Sequence, residues 1–162
     1  ELIGPWGCDV TVVRRGDDPV PGAARTLTTD RLHEAVADAD AVIVALALTD
    51  ETRNIVDAET LAAMRRDAWL CNVGRGGHVV TDDLVTALRT GVIAGAVLDV
   101  TDPEPLPDGH PLWELDNCVI TPHVGNTPEM GLPLIADRVR VNVGRWIAGD
   151  ELIGPVDVGA GY

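Results

Sequence analysis

Residues 68–77 read Ala-Trp-Leu-Cys-Asn-Val-Gly-Arg-Gly-Gly. The first six are nearly continuous in apolar character, which predicts a β-strand buried on both faces. A helical pattern follows at 81–89 and ends near Gly91, and a second strand-like run occupies 94–99. This strand–helix–strand succession is the unit from which parallel α/β sheets are built.

The same alternation extends along most of the chain. Strand-like runs lie at 10–13, 41–46, 68–73, 94–99 and 118–121. Helical patterns lie between them at 29–37, 58–65 and 81–89. A longer helical pattern, at 128–148, places five apolar residues on one side: Leu132, Ile135, Val139, Val143 and Trp146. We therefore predict the α/β class, with a doubly wound, Rossmann-like parallel sheet covered by helices.

The composition excludes several classes of function. Among 162 residues, 26 acidic and 12 basic side chains give a net charge of −14. Such a chain repels nucleic acid and anionic membranes, and no run approaches the roughly 18 apolar residues of a membrane span. We therefore expect neither nucleic acid nor membrane as a partner. The absence of Lys and Ser excludes lysine Schiff bases, serine nucleophiles and GK[ST] phosphate loops.

The cysteines bear on the compartment and on metal binding. Cys8, Cys71 and Cys118 are odd in number and widely spaced. They fit neither a disulfide framework nor a zinc site. We therefore expect no metal site and a cytoplasmic location.

Three side chains are candidates for chemistry. His123 follows Pro122 at the end of a predicted strand, where open α/β sheets bind ligands, and a histidine can give a proton to a carbonyl oxygen. A carboxylate at Glu104 near His123 would stabilise the imidazolium. Arg75, between two glycines, offers paired donors to a substrate carboxylate. Without a catalytic role, His123 would be an ordinary loop histidine, Glu104 a surface acid and Arg75 a member of a structural ion pair. The other histidines, His33, His78 and His110, are expected at the surface or in loops.

Five linked motifs carry a resemblance to a known family. They read NVGRG at 72–76, GAVLDV at 95–100, DPEPLP at 102–107, HPLW at 110–113 and TPHVG at 121–125. In this order and spacing they resemble the NAD(P)-binding domain of the D-isomer-specific 2-hydroxyacid dehydrogenases, of the glyoxylate/hydroxypyruvate reductase kind. The resemblance covers roughly residues 2–147.

The resemblance implies two Rossmann-like domains with an active site between them, and a homodimer. The family's first Rossmann strand and its G-x-G-x-x-G loop, which holds the cofactor pyrophosphate, are not found in this sequence. We therefore expect the chain to be part of a longer protein. Residues 1–126 would form a partial NAD(P)-binding domain. Residues 127–162 would form a C-terminal helix and tail that pack toward a substrate domain absent from the sequence.

The resemblance also implies roles for the three candidates. Arg75 would bind the substrate carboxylate, His123 would protonate the carbonyl oxygen, and Glu104 would support the histidine. The expected activity is hydride transfer between NAD(P)H and a small 2-oxoacid or D-2-hydroxyacid, such as glyoxylate or hydroxypyruvate. The family also includes dehydrogenase-like corepressors that can keep all three residues. A non-enzymatic regulator that binds the dinucleotide therefore stays open as an alternative.

The cofactor is expected to be NADP, with NAD as the alternative. Arg14 and Arg15 stand where NAD-specific relatives carry an acidic residue, and a guanidinium suits a 2′-phosphate. Asp17 or Asp18 could instead reach a ribose. Asp99 would hold the nicotinamide carboxamide, or else only cap a strand end. The further cofactor contacts implied by the resemblance are Leu46, Val73, Arg75, His123 and Gly125.

Overall fold

The computed structural model describes residues 4–159. The strands are β1 (Thr11–Arg14), β2 (Arg25–Thr28), β3 (Ala41–Val44), β4 (Trp69–Asn72), β5 (Gly95–Leu98) and β6 (Cys118–Ile120). The α-helices are α1 (Leu32–Ala37), α2 (Ala58–Ala63), α3 (Thr81–Thr90) and α4 (Pro128–Ala148). Short 3₁₀ turns occupy Gly4–Trp6, Thr29–Arg31, Gly76–His78 and Pro111–Glu114.

All strand pairs in these residues are parallel, which confirms the predicted α/β, Rossmann-like class. The larger sheet has the order β3-β4-β5-β6, and β1 pairs only with β2 within residues 4–159. In the larger sheet Val44 pairs with Asn72, which in turn pairs with Leu98. The carboxyl ends of β3, β4 and β5 are therefore level at one edge of the sheet.

The helix ends follow local chemistry. The Asp57 side chain accepts a hydrogen bond from the Thr60 amide at 2.9 Å and so caps α2. Helix α3 ends at Gly91, whose φ of +68° is the left-handed conformation that glycine adopts without strain. The predicted helix at 29–37 is divided into a 3₁₀ turn and the short α1.

The hydrophobic core lies on one face of the larger sheet. Its centre includes Leu70 and Ala96, packed with residues of the neighbouring helices α1, α2 and α3. The opposite face carries Ile43 and Val119, which are 61% and 49% exposed. The expectation that the strands are buried on both faces is therefore wrong for the described residues. The reason is that α1–α3 supply the core on one side only.

Helix α4 begins and ends where the sequence predicted. It buries none of its residues, so its predicted apolar side is exposed. The tail folds back along it: the Asn142 side chain accepts from the Ile153 amide at 2.9 Å and donates to the Ile153 carbonyl at 3.1 Å. No helix between residues 4 and 159 is both long and apolar enough to cross a membrane.

Candidate active site

A cavity of about 490 Å³ lies beyond the carboxyl ends of β3 and β4, lined by residues 45–48 and 73–75. This is the edge at which open α/β sheets bind ligands. Its lining brings together Leu46, Val73 and Arg75, three of the predicted site residues. The space beside Gly74 is tight, because a Cβ there would lie 3.0 Å from the His78 ring and 3.3 Å from the Leu46 carbonyl, so that a side chain would require its neighbours to shift.

Glu104 and His123 form a direct pair. The His123 Nδ1 lies 2.6 Å from the Glu104 Oε1, and both side chains are about two-fifths exposed. The hydrogen bond with His123 is the main reason that the pKa of Glu104 is lowered, and the charge of Arg75 lowers it further. Of the three residues that the resemblance marked as catalytic, Glu104 and His123 are therefore in direct contact, and the charge of Arg75 acts on Glu104.

The loop after β5 presents Glu104 to the histidine. The Thr101 amide lies 3.4 Å from the Glu104 Oε2, and the Thr101 hydroxyl donates to the Pro103 carbonyl at 2.9 Å. The prolines at 103 and 105 restrict the φ angles on either side of the glutamate. Both carboxylate oxygens of Glu104 thus have a partner, one on the loop and one on His123.

Asp99, at the end of β5, holds the turn that carries His123. The carboxylate accepts hydrogen bonds from the Thr121 hydroxyl at 2.5 Å and from the amides of Val124 and Gly125 at 2.9 and 2.7 Å. These three donors, the hydroxyl first, lower the pKa of Asp99. Sequence reasoning missed this role of Asp99 and Gly125, because it depends on contacts between β5 and the segment after β6. Their contact with the nicotinamide stays a prediction.

Arg75 extends from a loop whose supports the sequence did not reveal. Its side chain is exposed, and its Nη1 donates to the Gly74 carbonyl at 2.7 Å. Its backbone contacts Asn72 and His78. The expectation that His78 is a surface or loop residue is wrong, because this side chain is fully buried. A signal was present: His78 lies directly before the apolar pair Val79-Val80.

Arg14 is the last residue of β1, a strand of the smaller sheet, and Arg15 follows that strand. The Arg15 Nη2 pairs with the Glu51 Oε2 at 3.0 Å on the surface. Glu51 follows the cavity-lining segment 45–48, so this ion pair links the end of β1 to the loop that borders the cavity. Sequence reasoning did not single out Glu51, because the two residues are 36 positions apart.

The family model for the D-isomer specific 2-hydroxyacid dehydrogenase NAD binding domain matches residues 1–125. The chain belongs to this family. The resemblance drawn from the five motifs is therefore confirmed.

Individual relatives agree with this assignment. An uncharacterized protein in the proB 3′ region of Corynebacterium melassecola is 49% identical over 162 residues, which is 100% of this chain and 53% of that protein. A D-isomer specific 2-hydroxyacid dehydrogenase from Xanthobacter autotrophicus Py2, solved with NADPH and MES, is 38% identical with a TM-score of 0.87 over 96% of this chain and 64% of that one.

A third relative is an NADPH-dependent glyoxylate/hydroxypyruvate reductase from Sinorhizobium meliloti, solved with NADP and sulfate. It is 30% identical with a TM-score of 0.90, over 99% of this chain and 52% of that one. The chain spans about half the length of the curated relatives that it matches along its whole length.

Proposed function

We propose that this chain is the dinucleotide-binding part of an NADP-dependent D-2-hydroxyacid dehydrogenase that reduces a small 2-oxoacid such as glyoxylate or hydroxypyruvate. The observation that carries the proposal is the 2.6 Å hydrogen bond between His123 and Glu104, in the electrostatic neighbourhood of Arg75. The pair supplies a proton donor and its counter-ion, and the arginine supplies a carboxylate ligand. The NADP and NADPH complexes of the solved relatives support the choice of cofactor.

The residues present fit a nicotinamide dinucleotide. Leu46 and Val73 give the cavity an apolar wall suited to a flat ring, and Gly74 keeps the backbone thin beside it. When bound, the cofactor supplies the hydride. Arg14 and Arg15 would hold a 2′-phosphate, and Asp99, His123 and Gly125 would lie at the nicotinamide end. The acids Asp17 and Asp18 keep NAD as the alternative.

The chain's own residues would perform three tasks. Arg75 would bind the substrate carboxylate and hold the 2-oxo group in one orientation. Glu104 is kept ionised by its lowered pKa, so it accepts a hydrogen bond from the Nδ1–H of His123 and leaves the Nε2 proton for the carbonyl oxygen. The charge of Glu104 also stabilises the imidazolium before transfer. General acid catalysis of this kind contributes about 10²–10⁴-fold.

The direct test is NADPH oxidation, followed by absorbance, with a panel of 2-oxoacids. It requires the complete protein, with whatever sequence flanks residues 1–162 in its gene. We expect turnover with at least one small 2-oxoacid and its loss in the His123→Asn variant. Tight NADPH binding without turnover of any 2-oxoacid would instead support the alternative, a dinucleotide-binding regulator.

We further propose that residues 1–126 are part of the NAD(P)-binding domain and that 127–162 pack toward a substrate domain in a cytoplasmic homodimer. The exposed apolar side chains of α4 support a packing partner for this helix. The free thiols of Cys8, Cys71 and Cys118 support a reducing compartment. Light scattering of the complete protein would test the oligomeric state, and a monomer would contradict it.

A further inference from the structure

Two buried side chains hold the backbone of Arg75 from beneath. The Asn72 side chain donates to the Arg75 carbonyl at 2.9 Å and accepts from the Gly74 amide at 3.0 Å. The Nδ1 of His78 accepts a hydrogen bond from the Arg75 amide at 3.1 Å. Asn72 is 1% exposed and His78 is 0% exposed. The exposed guanidinium is thus attached to a peptide that the interior fixes on both sides.

The Arg75 backbone offers the Nδ1 of His78 both a donor and an acceptor, so the tautomer of the imidazole decides which of them it binds. The Arg75 carbonyl lies 2.9 Å from Nδ1, but it already accepts from the Asn72 side chain and from the His78 amide at 3.2 Å. The Arg75 amide can only donate, so its hydrogen bond with Nδ1 requires the tautomer in which Nδ1 is unprotonated. In that tautomer the ring proton is on Nε2, and within residues 4–159 this nitrogen is a buried side-chain atom without a hydrogen-bond partner.

An unpaired buried N–H is unfavourable, and a leucine at this position would avoid it. The histidine therefore contributes something that an apolar residue of similar size lacks. In this structure that contribution is the acceptor for the Arg75 amide.

The loop has little room to adjust. A Cβ at Gly74 would lie 3.0 Å from the His78 ring, and one at Gly76 would lie 1.9 Å from the Thr101 carbonyl oxygen. The backbone on either side of Arg75 is pressed between the imidazole and the segment that leads to Glu104. A change at His78 would therefore move Arg75 relative to Glu104.

We infer that His78, with Nδ1 unprotonated, is a positioning residue that sets the direction in which Arg75 presents its guanidinium to the substrate, assisted by Asn72. The inference rests on the proposed function, in which Arg75 binds the carboxylate of a 2-oxoacid.

The test compares two variants of the complete protein with glyoxylate as substrate. His78→Leu removes the acceptor, whereas His78→Asn keeps an oxygen that can replace Nδ1. We expect His78→Leu to raise the glyoxylate KM about tenfold, with kcat and the NADPH Kd changed by about twofold at most. We expect His78→Asn to restore the KM to within about threefold of the wild-type value. An equal rise of KM in both variants, or no rise in His78→Leu, would overturn the inference.

A double-mutant cycle separates this inference from the proposed function. If His78 acts through Arg75, His78→Leu should change KM by less than about twofold in an Arg75→Ala background. An effect of His78→Leu that persists in that background would overturn the inference. An unchanged KM in Arg75→Ala itself would overturn the substrate role of Arg75. A raised KM in Arg75→Ala with none in His78→Leu would overturn only the role of His78.

A measurement on the wild-type protein needs no folded variant. Nitrogen-15 NMR of the His78 ring should show a proton on Nε2 and none on Nδ1. A proton on Nδ1 would mean that the Arg75 amide is not held by the imidazole, and the inference would fail.

Discussion

The carboxylate of Asp99 holds the backbone turn that carries His123. Asp99 accepts hydrogen bonds from Val124 and Gly125, the two residues that follow His123, and from Thr121, two residues before it. His123 itself has a φ of +55°, a conformation that few residues other than glycine adopt. The carboxylate thus offsets the cost of an unusual backbone at the proposed proton donor.

Asp99→Asn should reduce the change in the protein's stability as the pH falls into the acid range. The pKa of Asp99 is lower in the folded state than its usual value of about 3.9, so its contribution is fully present above that pH and is lost as pH falls through the folded-state pKa. We expect the variant to have a lower Tm at neutral pH and a difference from wild type that shrinks below about pH 4.

Thermal unfolding of both proteins across this pH range measures the effect. Asp108→Asn, a change in an exposed loop, is the matched control and should leave the pH dependence unaltered. A Tm difference between Asp99→Asn and wild type that is constant with pH would contradict the assignment.

Glu104→Gln should narrow the pH range of reduction. Glutamine can accept a hydrogen bond from the histidine but has no charge to favour the imidazolium. Because the proposed mechanism requires protonated His123, we expect the alkaline limb of kcat/KM to move to lower pH, with the greatest loss on the alkaline side. Profiles from about pH 5 to 9 give the comparison. Coincident alkaline limbs would show that Glu104 is not coupled to His123.

His123→Asn should remove the transferable proton while keeping a polar side chain of similar reach. We expect kcat to fall by about 10²–10⁴-fold. NADPH binding, measured by fluorescence titration, should stay within about threefold of wild type because the proposed ligands of the 2′-phosphate, Arg14 and Arg15, are unchanged. A variant with wild-type kcat would remove His123 from the chemistry.

Replacing Arg14 by Asp and Arg15 by Ala should weaken NADPH more than NADH. A charge-assisted contact with a phosphate contributes about 1.5–3 kcal/mol, so the preference should move by about tenfold to a hundredfold. The ratio of kcat/KM for the two cofactors measures it. Arg25→Ala, on the neighbouring strand β2, removes one positive charge as a control. An unchanged ratio in the double variant would place the 2′-phosphate elsewhere.

The sequence predicted most of the sheet because four of its strands are apolar runs bounded by turns. Strands β3 to β6 lie within the predicted ranges, and α4 begins after Thr127 and ends at Gly149, as its capping residues indicate. Strand β2, Arg-Thr-Leu-Thr, was not predicted. Only Leu27 of its four residues is buried, so its strand character comes from pairing with β1 rather than from its own pattern.

The candidate site, like the sheet, could be predicted from the sequence only in part. The motifs named Arg75, Glu104 and His123, and the structure brings two of them into hydrogen-bond contact. The supports of these residues were not predictable, because the role of Asp99 depends on contacts about 25 positions along the chain. His78 lies only three residues from Arg75, but its burial depends on the helices packed over that face of the sheet. A pattern in the sequence therefore indicates candidate reacting groups more readily than it indicates the side chains that orient them.

Arg75 and His123 differ in how firmly the neighbouring strand of the sheet holds them. Arg75 follows β4, which is paired on both sides, whereas His123 follows β6, a three-residue strand at the sheet edge. Edge strands open more easily than central ones, so transient fraying of β6 would release the amides of Val124 and Gly125 from Asp99 while Arg75 stayed in place. Amide hydrogen exchange at these two positions would therefore report how often His123, the proposed proton donor, loses the backbone geometry seen in this structure. Arg75, the proposed ligand of the substrate carboxylate, would therefore be in place more of the time than His123, the proposed proton donor.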